Sequence, residues 1–272
     1  MRNKLKWTMF YLGVFVIAAV FVVPLLWLVS TSFKNYIDAF ALPPKLIFTP
    51  TLENYTDVLR RSDFMRALMN SVVISTSSTL LAVALGALSA YALVFLELRR
   101  KTAISTFFLS ARIIPPVLMV LPIYFLAVKL GMTDSYTVLI LFYTMINLPF
   151  VIMMLRTFFL DIPNEIREAA IIDGCSEMRV FLQTVLPLAR GGIAATFVLS
   201  MLLTWNEFFI ALILSGKSTQ TLPVLITSFM TFQGTEWGSL SAAGTMIMLP
   251  MLIFGLLVQK NLVRGMTMGA VK

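Results

Sequence analysis

Histidine is absent from the 272 residues, and cysteine occurs once, as Cys175. The first absence removes histidine general bases, Ser–His and Cys–His nucleophile pairs, and histidine metal sites together. The second excludes an intrachain disulfide; the lone thiol reads as a small side chain in a reducing compartment. Charge is also scarce. Asp, Glu, Lys and Arg make up 12% of the chain, against about 25% in soluble domains. No Gly-x4-Gly-Lys-Ser/Thr run is present, so no phosphate-cradling loop of that kind is expected, and Gly191-Gly192 reads as a flexible start to an apolar segment. Low-complexity segments and clear internal repeats are missing too.

What is there is apolar: 59% of residues are hydrophobic, and the mean hydropathy is +0.91. That excess cannot be hidden in one core, so the solvent for most of the chain is lipid. Six apolar segments approach the roughly 20 residues that a membrane-spanning helix needs. Their limits are Met9–Thr31, Ser71–Phe95, Phe107–Leu126, Thr137–Phe159, Gly192–Leu214 and Ala242–Val258. The fold class predicted is an all-α polytopic membrane protein, residues 1–272 forming a single transmembrane domain. Pro115, Pro116 and Pro122 interrupt the third segment, which predicts a bent or broken span packed inside the bundle. The first segment follows a basic start, but its apolar run exceeds a signal-peptide core, so an uncleaved span is expected.

Positive charge sets the orientation. Thirteen Lys and Arg fall on one side (Arg2, Lys4, Lys6, Arg99, Arg100, Lys101, Arg156, Arg167, Arg179, Arg190, Lys260, Arg264, Lys272) and seven on the other (Lys34, Lys45, Arg60, Arg61, Arg66, Lys129, Lys217), with Arg112 inside a span. Both termini and the loop 160–190 are therefore expected in the cytoplasm. The net charge of +8 is read as this loop bias rather than as nucleic-acid binding. In the first external loop, acidic residues balance most of the charge, and an amphipathic helix is predicted from Leu52 to about Leu68.

The loop 160–190 is a polar island written as a folded device. Asp161 is the expected N-cap of a first helix, Pro163 suits its first turn, and Glu165 and Glu168 match its dipole. Gly174 can take the left-handed conformation that ends it. Ser176 then caps a second helix from Glu177 to about Leu186, stopped by Pro187. Glu168-Ala169-Ala170, Gly174, Leu186 and Pro187 resemble the EAA loop of ABC-importer permeases, with Thr184 where that pattern has Ile. Leu52-Glu53-Asn54-Tyr55, Asn70-Ser71, Ala90-Tyr91-Ala92, Trp205-Asn206-Glu207-Phe208 and the tail from Gln259 extend the resemblance over nearly the whole chain. They make it similar to the carbohydrate (maltose-type) group.

The resemblance implies a second permease subunit, two ATPase subunits and an external solute-binding protein. The permease chain itself would bind no cofactor, ATP and Mg being held by the ATPase. It implies that Glu168, Ala169, Ala170, Asp173 and Gly174 dock the ATPase, and that Gly269, Ala270, Val271 and Lys272 reach between the ATPase subunits. No catalytic or metal site is expected.

Charge inside a span costs at least ~2.5 kcal/mol and marks a functional site by default. Glu207 lies about 22 Å along the fifth span at 1.5 Å per residue. It reads either as a pathway group or as a polar tie between helices, and Asn206 stands beside it. Asn147, near Pro149, either lines a cavity or bonds across helices. Arg112, about 8 Å inside the third span, is expected to snorkel to the surface rather than pair with Glu207.

The function expected is the permease subunit of an ABC importer carrying a sugar or oligosaccharide. Alternatives are another polar solute, such as a polyamine or phosphate ester, a secondary transporter, or a membrane enzyme. A secondary transporter would show an inverted repeat and ion-coupling carboxylates. Asp173-Gly174 is similar to the Asp-Gly start of CDP-alcohol phosphotransferases, but the Ala-Arg and later aspartates are missing.

Overall fold

A computed structural model describes residues 2–231 and 234–267. Its helices in chain order are α1 (Arg2–Ser32), α2 (Tyr36–Ala39), α3 (Glu53–Arg60), α4 (Ser62–Phe95), α5 (Lys101–Ala111), α6 (Pro116–Lys129), α7 (Tyr136–Leu160), α8 (Asn164–Ile172), α9 (Glu177–Val180), α10 (Leu186–Leu188), α11 (Arg190–Trp205), α12 (Phe209–Leu214), α13 (Leu222–Leu225) and α14 (Trp237–Thr267). A two-residue ladder, β1 (Met230–Thr231) with β2 (Gly234–Thr235), is the one strand pair among the described residues. Four helices are each long and apolar enough to cross a membrane: α1, α4, α7 and α14. Two bent pairs, α5 with α6 and α9–α10 with α11, bring the number to six if each counts as one span.

The chain divides into two compact units. One comprises the chain up to Met65 together with Leu225–Pro250. In it, the Asn54 amide donates to the backbone carbonyls of Ser32 (2.9 Å) and Lys34 (2.7 Å), and Tyr55 Oη lies 2.7 Å from Ser32 Oγ. The Asn-Tyr pair singled out in the sequence thus ties off the last turn of α1. The single helix expected from Leu52 to Leu68 is broken. Arg61 is extended between α3 and α4. Its guanidinium is drawn into an ion pair with Glu236 and lies 4.4 Å from the centre of the Phe229 ring. A tertiary anchor has overridden a local helical preference.

The other unit comprises Arg66–Val224 and the chain from Met251. Gly86 brings α4 against α7: a Cβ there would stand 2.5 Å from Val151 Cγ1. Around this approach Ala87, Ala90, Tyr91, Leu155, Phe159, Phe181 and Val185 form one buried cluster. A second, with Ile74, Val120, Leu139, Phe142, Tyr143, Ile210 and Leu214, joins α4, α6, α7 and α12. The third span is bent as predicted, by 85° between α5 and α6. Pro115 and Pro116 open α6, whereas Pro122 sits inside it. The expectation that this span is packed inside the bundle is corrected: α5 buries no residue, and α6 buries only Val120 and Ala127 among those described. Side chains such as Leu109, Leu118, Leu121 and Phe125 are exposed, as suits lipid or a neighbouring subunit.

Asp134, at φ +54°, closes this unit's loops. Its carboxylate receives the backbone N–H groups of Gly216 (2.8 Å), Ser218 (2.9 Å) and Thr219 (2.9 Å), and the hydroxyls of Ser218 and Thr219. Partial burial works against the charge, but these bonds outweigh it and hold the carboxyl well below its usual range. A depressed folded-state value means that the clamp stabilises fully above the ordinary aspartate value of about 3.9 and is lost only as pH falls toward the folded value. Asp134→Ala strands three backbone donors and is expected to cost about 1–3 kcal/mol. A lowered melting temperature of the detergent-purified protein at pH 7 checks it, and Asp134→Asn should recover part of the loss.

Candidate functional site

The polar island folds as two short helices around a glycine. Asp161 does not cap α8: it closes the C-terminal end of α7, and the extended Pro163 (ψ 134°) stands at the N-cap position of α8. Proline's fixed φ and missing N–H serve there without a side-chain acceptor. Gly174 has φ +85°. Asp173 N–H reaches Ala169 O (2.9 Å), Gly174 N–H reaches Ile171 O (3.0 Å) and Cys175 N–H reaches Ala170 O (3.0 Å), consuming the last carbonyls of α8. Ser176 then accepts Arg179 N–H at the start of α9. The second helix ends at Leu188, one residue past Pro187 and close to the expected stop, and turns by 79° into α11. A π-helical turn, Phe181–Val185, precedes Pro187 and widens the helix by one residue, which accommodates the proline's missing donor within α10.

This geometry sorts α8 into two faces. Glu165, Glu168, Ala169, Asp173 and Gly174 are exposed, and Ile172 is 85% exposed. Arg167 and Ala170 are half-buried on the other side, where Ala170 meets the first apolar cluster. The structure therefore groups Glu168, Ala169, Asp173 and Gly174 on one outward surface and turns Ala170 inward. Sequence reasoning missed Ile172, the most exposed apolar side chain of that surface; its signal was the Ile171-Ile172 pair just before Asp173-Gly174.

The other sequence-selected residues lie deeper in the same unit. The apolar segment Gly192–Leu214 is interrupted: α11 ends at Trp205 and α12 begins at Phe209. Glu207, in the break, accepts the Tyr143 hydroxyl at 2.7 Å and the backbone N–H groups of Ile210 (3.0 Å) and Ala211 (3.2 Å). Its carboxylate thus takes up first-turn donors of α12. Asn147 donates to Thr204 Oγ1 at 2.8 Å, bonding α7 to α11. Asn206 is exposed and its amide folds back on Leu202 O (2.9 Å).

Glu207 and Asn147 line one cavity of about 510 Å³ with Arg112, Tyr143, Phe150 and Thr204; Asn206 does not line it. Arg112 stands over the Phe150 ring, 4.8 Å from its centre. Among the described residues, it makes no ion pair with Glu207. Tyr143 and Thr204 were not singled out from sequence, because an isolated Tyr or Thr in an apolar run carries no spacing signal. Gly269, Ala270, Val271 and Lys272 lie outside the described residues.

Residues 82–268 match the family described as binding-protein-dependent transport system inner membrane component. The chain belongs to that family. It is similar, at 38% identity over 99% of its length and 96% of the relative's, to a probable ABC transporter permease protein of Sinorhizobium fredii. It is 32% identical to the trehalose/maltose transport system permease protein of Thermococcus litoralis, covering 100% of this chain and 99% of that one. In fold it resembles a subunit of a bacterial ABC transporter involved in the import of the acidic polysaccharide alginate. The TM-score is 0.82 at 17% identity, over 96% of this permease and 97% of that chain. The permease is thus a multi-pass inner-membrane transport component, not an enzyme.

Proposed function

We propose that this permease pairs with a second permease chain and two ATPase subunits to import a sugar or oligosaccharide delivered by an external binding protein. ATP and Mg are held by the ATPase. The observation that carries the reading is the outward face of α8, where Glu168 and Ala169 stand beside the exposed Ile172. A carboxylate for a basic partner, a smooth alanine and one apolar knob make a compact docking surface. Closure of the ATPase dimer displaces α8, and the spans change access from one side of the membrane to the other. The tail, Gly269 to Lys272, is assigned a second contact between the ATPase subunits, on the family resemblance alone.

The cavity supports a sugar over a polyamine. Phe107, Phe108 and Tyr143 line it with aromatic surface suited to the C–H faces of a pyranose, and Asn147 and Thr204 add polar atoms to its wall. Its carboxylate, Glu207, is already engaged by a tyrosine and two backbone donors, which leaves it a poor sole counter-ion for a polycation. The relative named for trehalose and maltose agrees with this choice. The test is ATP-dependent uptake of labelled trehalose, maltose and spermidine by the purified complex in liposomes. Uptake of spermidine alone would overturn the substrate class.

The cytoplasmic position of α8 and of both termini follows from the Lys and Arg count. In a Cys175→Ser background, Ile47→Cys, at a side chain 94% exposed, is expected to react with an impermeant thiol reagent added outside intact cells. Arg179→Cys, exposed on α9, is expected to react only after permeabilisation. The reverse pattern would invert the topology.

A further inference from the structure

We propose that Tyr91, Glu177 and Arg167 form a linkage that transmits movement of α8 into the second membrane span, α4. The inference rests on α8 being the ATPase contact. The Arg167 guanidinium, on the inner face of α8, donates from Nε to Glu177 Oε2 at 3.1 Å and from a terminal nitrogen to Oε1. This is the two-pronged arginine–carboxylate geometry, which fixes orientation as well as distance. Glu177 is the first residue of α9, and its Oε2 also accepts the Tyr91 hydroxyl at 2.5 Å. One carboxylate therefore joins three elements: α8, α9 and α4.

The far end of the linkage is firmly seated. Tyr91 is 5% exposed. Its ring lies 5.2 Å from both the Phe95 and Phe181 rings, edge-on to the latter. The near end is otherwise thinly held, since α8 has no buried residue. Apolar contacts beneath it, through Ala170 and Cys175, are non-directional and permit sliding. A forked ion pair continued by a phenol hydrogen bond does not. The hydrogen bond from Arg167 holds the Glu177 carboxyl below its usual range, and Glu177 in turn raises Arg167. The linkage therefore stays ionised throughout neutral pH. Its contribution is complete above the ordinary glutamate value of about 4.3 and declines only as pH falls below it. A phenylalanine would fill the same space at position 91, so the hydroxyl itself is the part that packing does not require.

The test uses the intact complex of permeases, ATPases and binding protein in liposomes, with Cys175→Ser and a reporter, Met145→Cys, on the cavity wall. MgATP with vanadate is expected to change the maleimide labelling rate of the reporter. Tyr91→Phe should shrink that change about tenfold, a coupling loss of about 1.4 kcal/mol, while the ATPase subunits remain bound in wild-type ratio. Glu177→Gln should shrink it similarly, and the double variant should be no worse than either single one, as for groups acting in one chain. An unchanged response in Tyr91→Phe overturns the linkage, as do additive effects in the double variant. If the complex with unaltered Tyr91 and Glu177 keeps no ATPase, or shows no nucleotide response, the docking reading fails and the linkage falls with it.

Discussion

A permease carrying Gly174→Val is expected to insert in the membrane and to purify without its ATPase. Gly174 sits at φ +85°, and a Cβ built there meets nothing within 4 Å. Space is not the obstacle; the backbone conformation is. A residue with a Cβ pays about 1–2 kcal/mol in the left-handed region, and a β-branched one is a genuine outlier there. If the turn relaxes, the three hydrogen bonds closing α8 at Ala169, Ala170 and Ile171 reorganise, and Glu168, Ala169 and Ile172 no longer share one surface. Co-purification of the ATPase should fall about tenfold or more, since each 1.4 kcal/mol is a factor of ten. Gly174→Asn, which tolerates positive φ better, should lose less. Glu168→Lys leaves the turn intact and reverses the charge, so it separates shape from electrostatics. Full ATPase retention with coupled transport in Gly174→Val would sink the docking assignment.

Glu207→Ala is expected to lower uptake at least about tenfold while the ATPase stays bound. The substitution removes the acceptor for Tyr143 and for two first-turn N–H groups of α12. Each stranded buried donor costs about 1–3 kcal/mol, and the loss falls on the cavity wall rather than on the coupling face. Glu207→Gln keeps an acceptor oxygen and should retain most activity if the side chain's work is to hold Tyr143 and start α12. If Glu207→Gln is as impaired as Glu207→Ala, the negative charge itself serves the transported solute. Uptake by Glu207→Ala equal to the unaltered protein's would remove Glu207 from the pathway altogether.

Much of this architecture was legible because lipid imposes simple rules. Apolar length marked the spans, and prolines marked the bend between α5 and α6. The Gly174 turn was readable because only the local backbone decides it. The misreadings have two physical sources: a long-range partner outweighing a local preference at Arg61, and local backbone geometry around the prolines. Arg61 left its helix for Glu236 and Phe229. Asp161 went to the end of α7, and proline geometry began α8. A π turn let Pro187 sit inside the last turn of the second helix, which ends one residue later at Leu188. At the site, Glu168 and Gly174 were visible through their spacing, whereas Ile172, Tyr143, Thr204 and the Tyr91–Glu177–Arg167 group were not. Their significance lies in which helices bring them together, and no sequence interval encodes that. The sequence leaves Glu207 two roles, and it occupies a place compatible with both, bonded across helices and lining the cavity.

The interruption between Trp205 and Phe209 has a further consequence. A hydrocarbon layer tolerates irregular backbone only where protein or water satisfies its polar groups. Here the satisfaction comes from an amide and a carboxylate on the same few residues, with a cavity alongside. Such side-chain bonds open one at a time, without unravelling a helical ladder. Deuterium from the solvent should therefore reach the amides around 207–211 far sooner than those in the middle of α7. The isotope would trace water reaching the chain break beside the cavity.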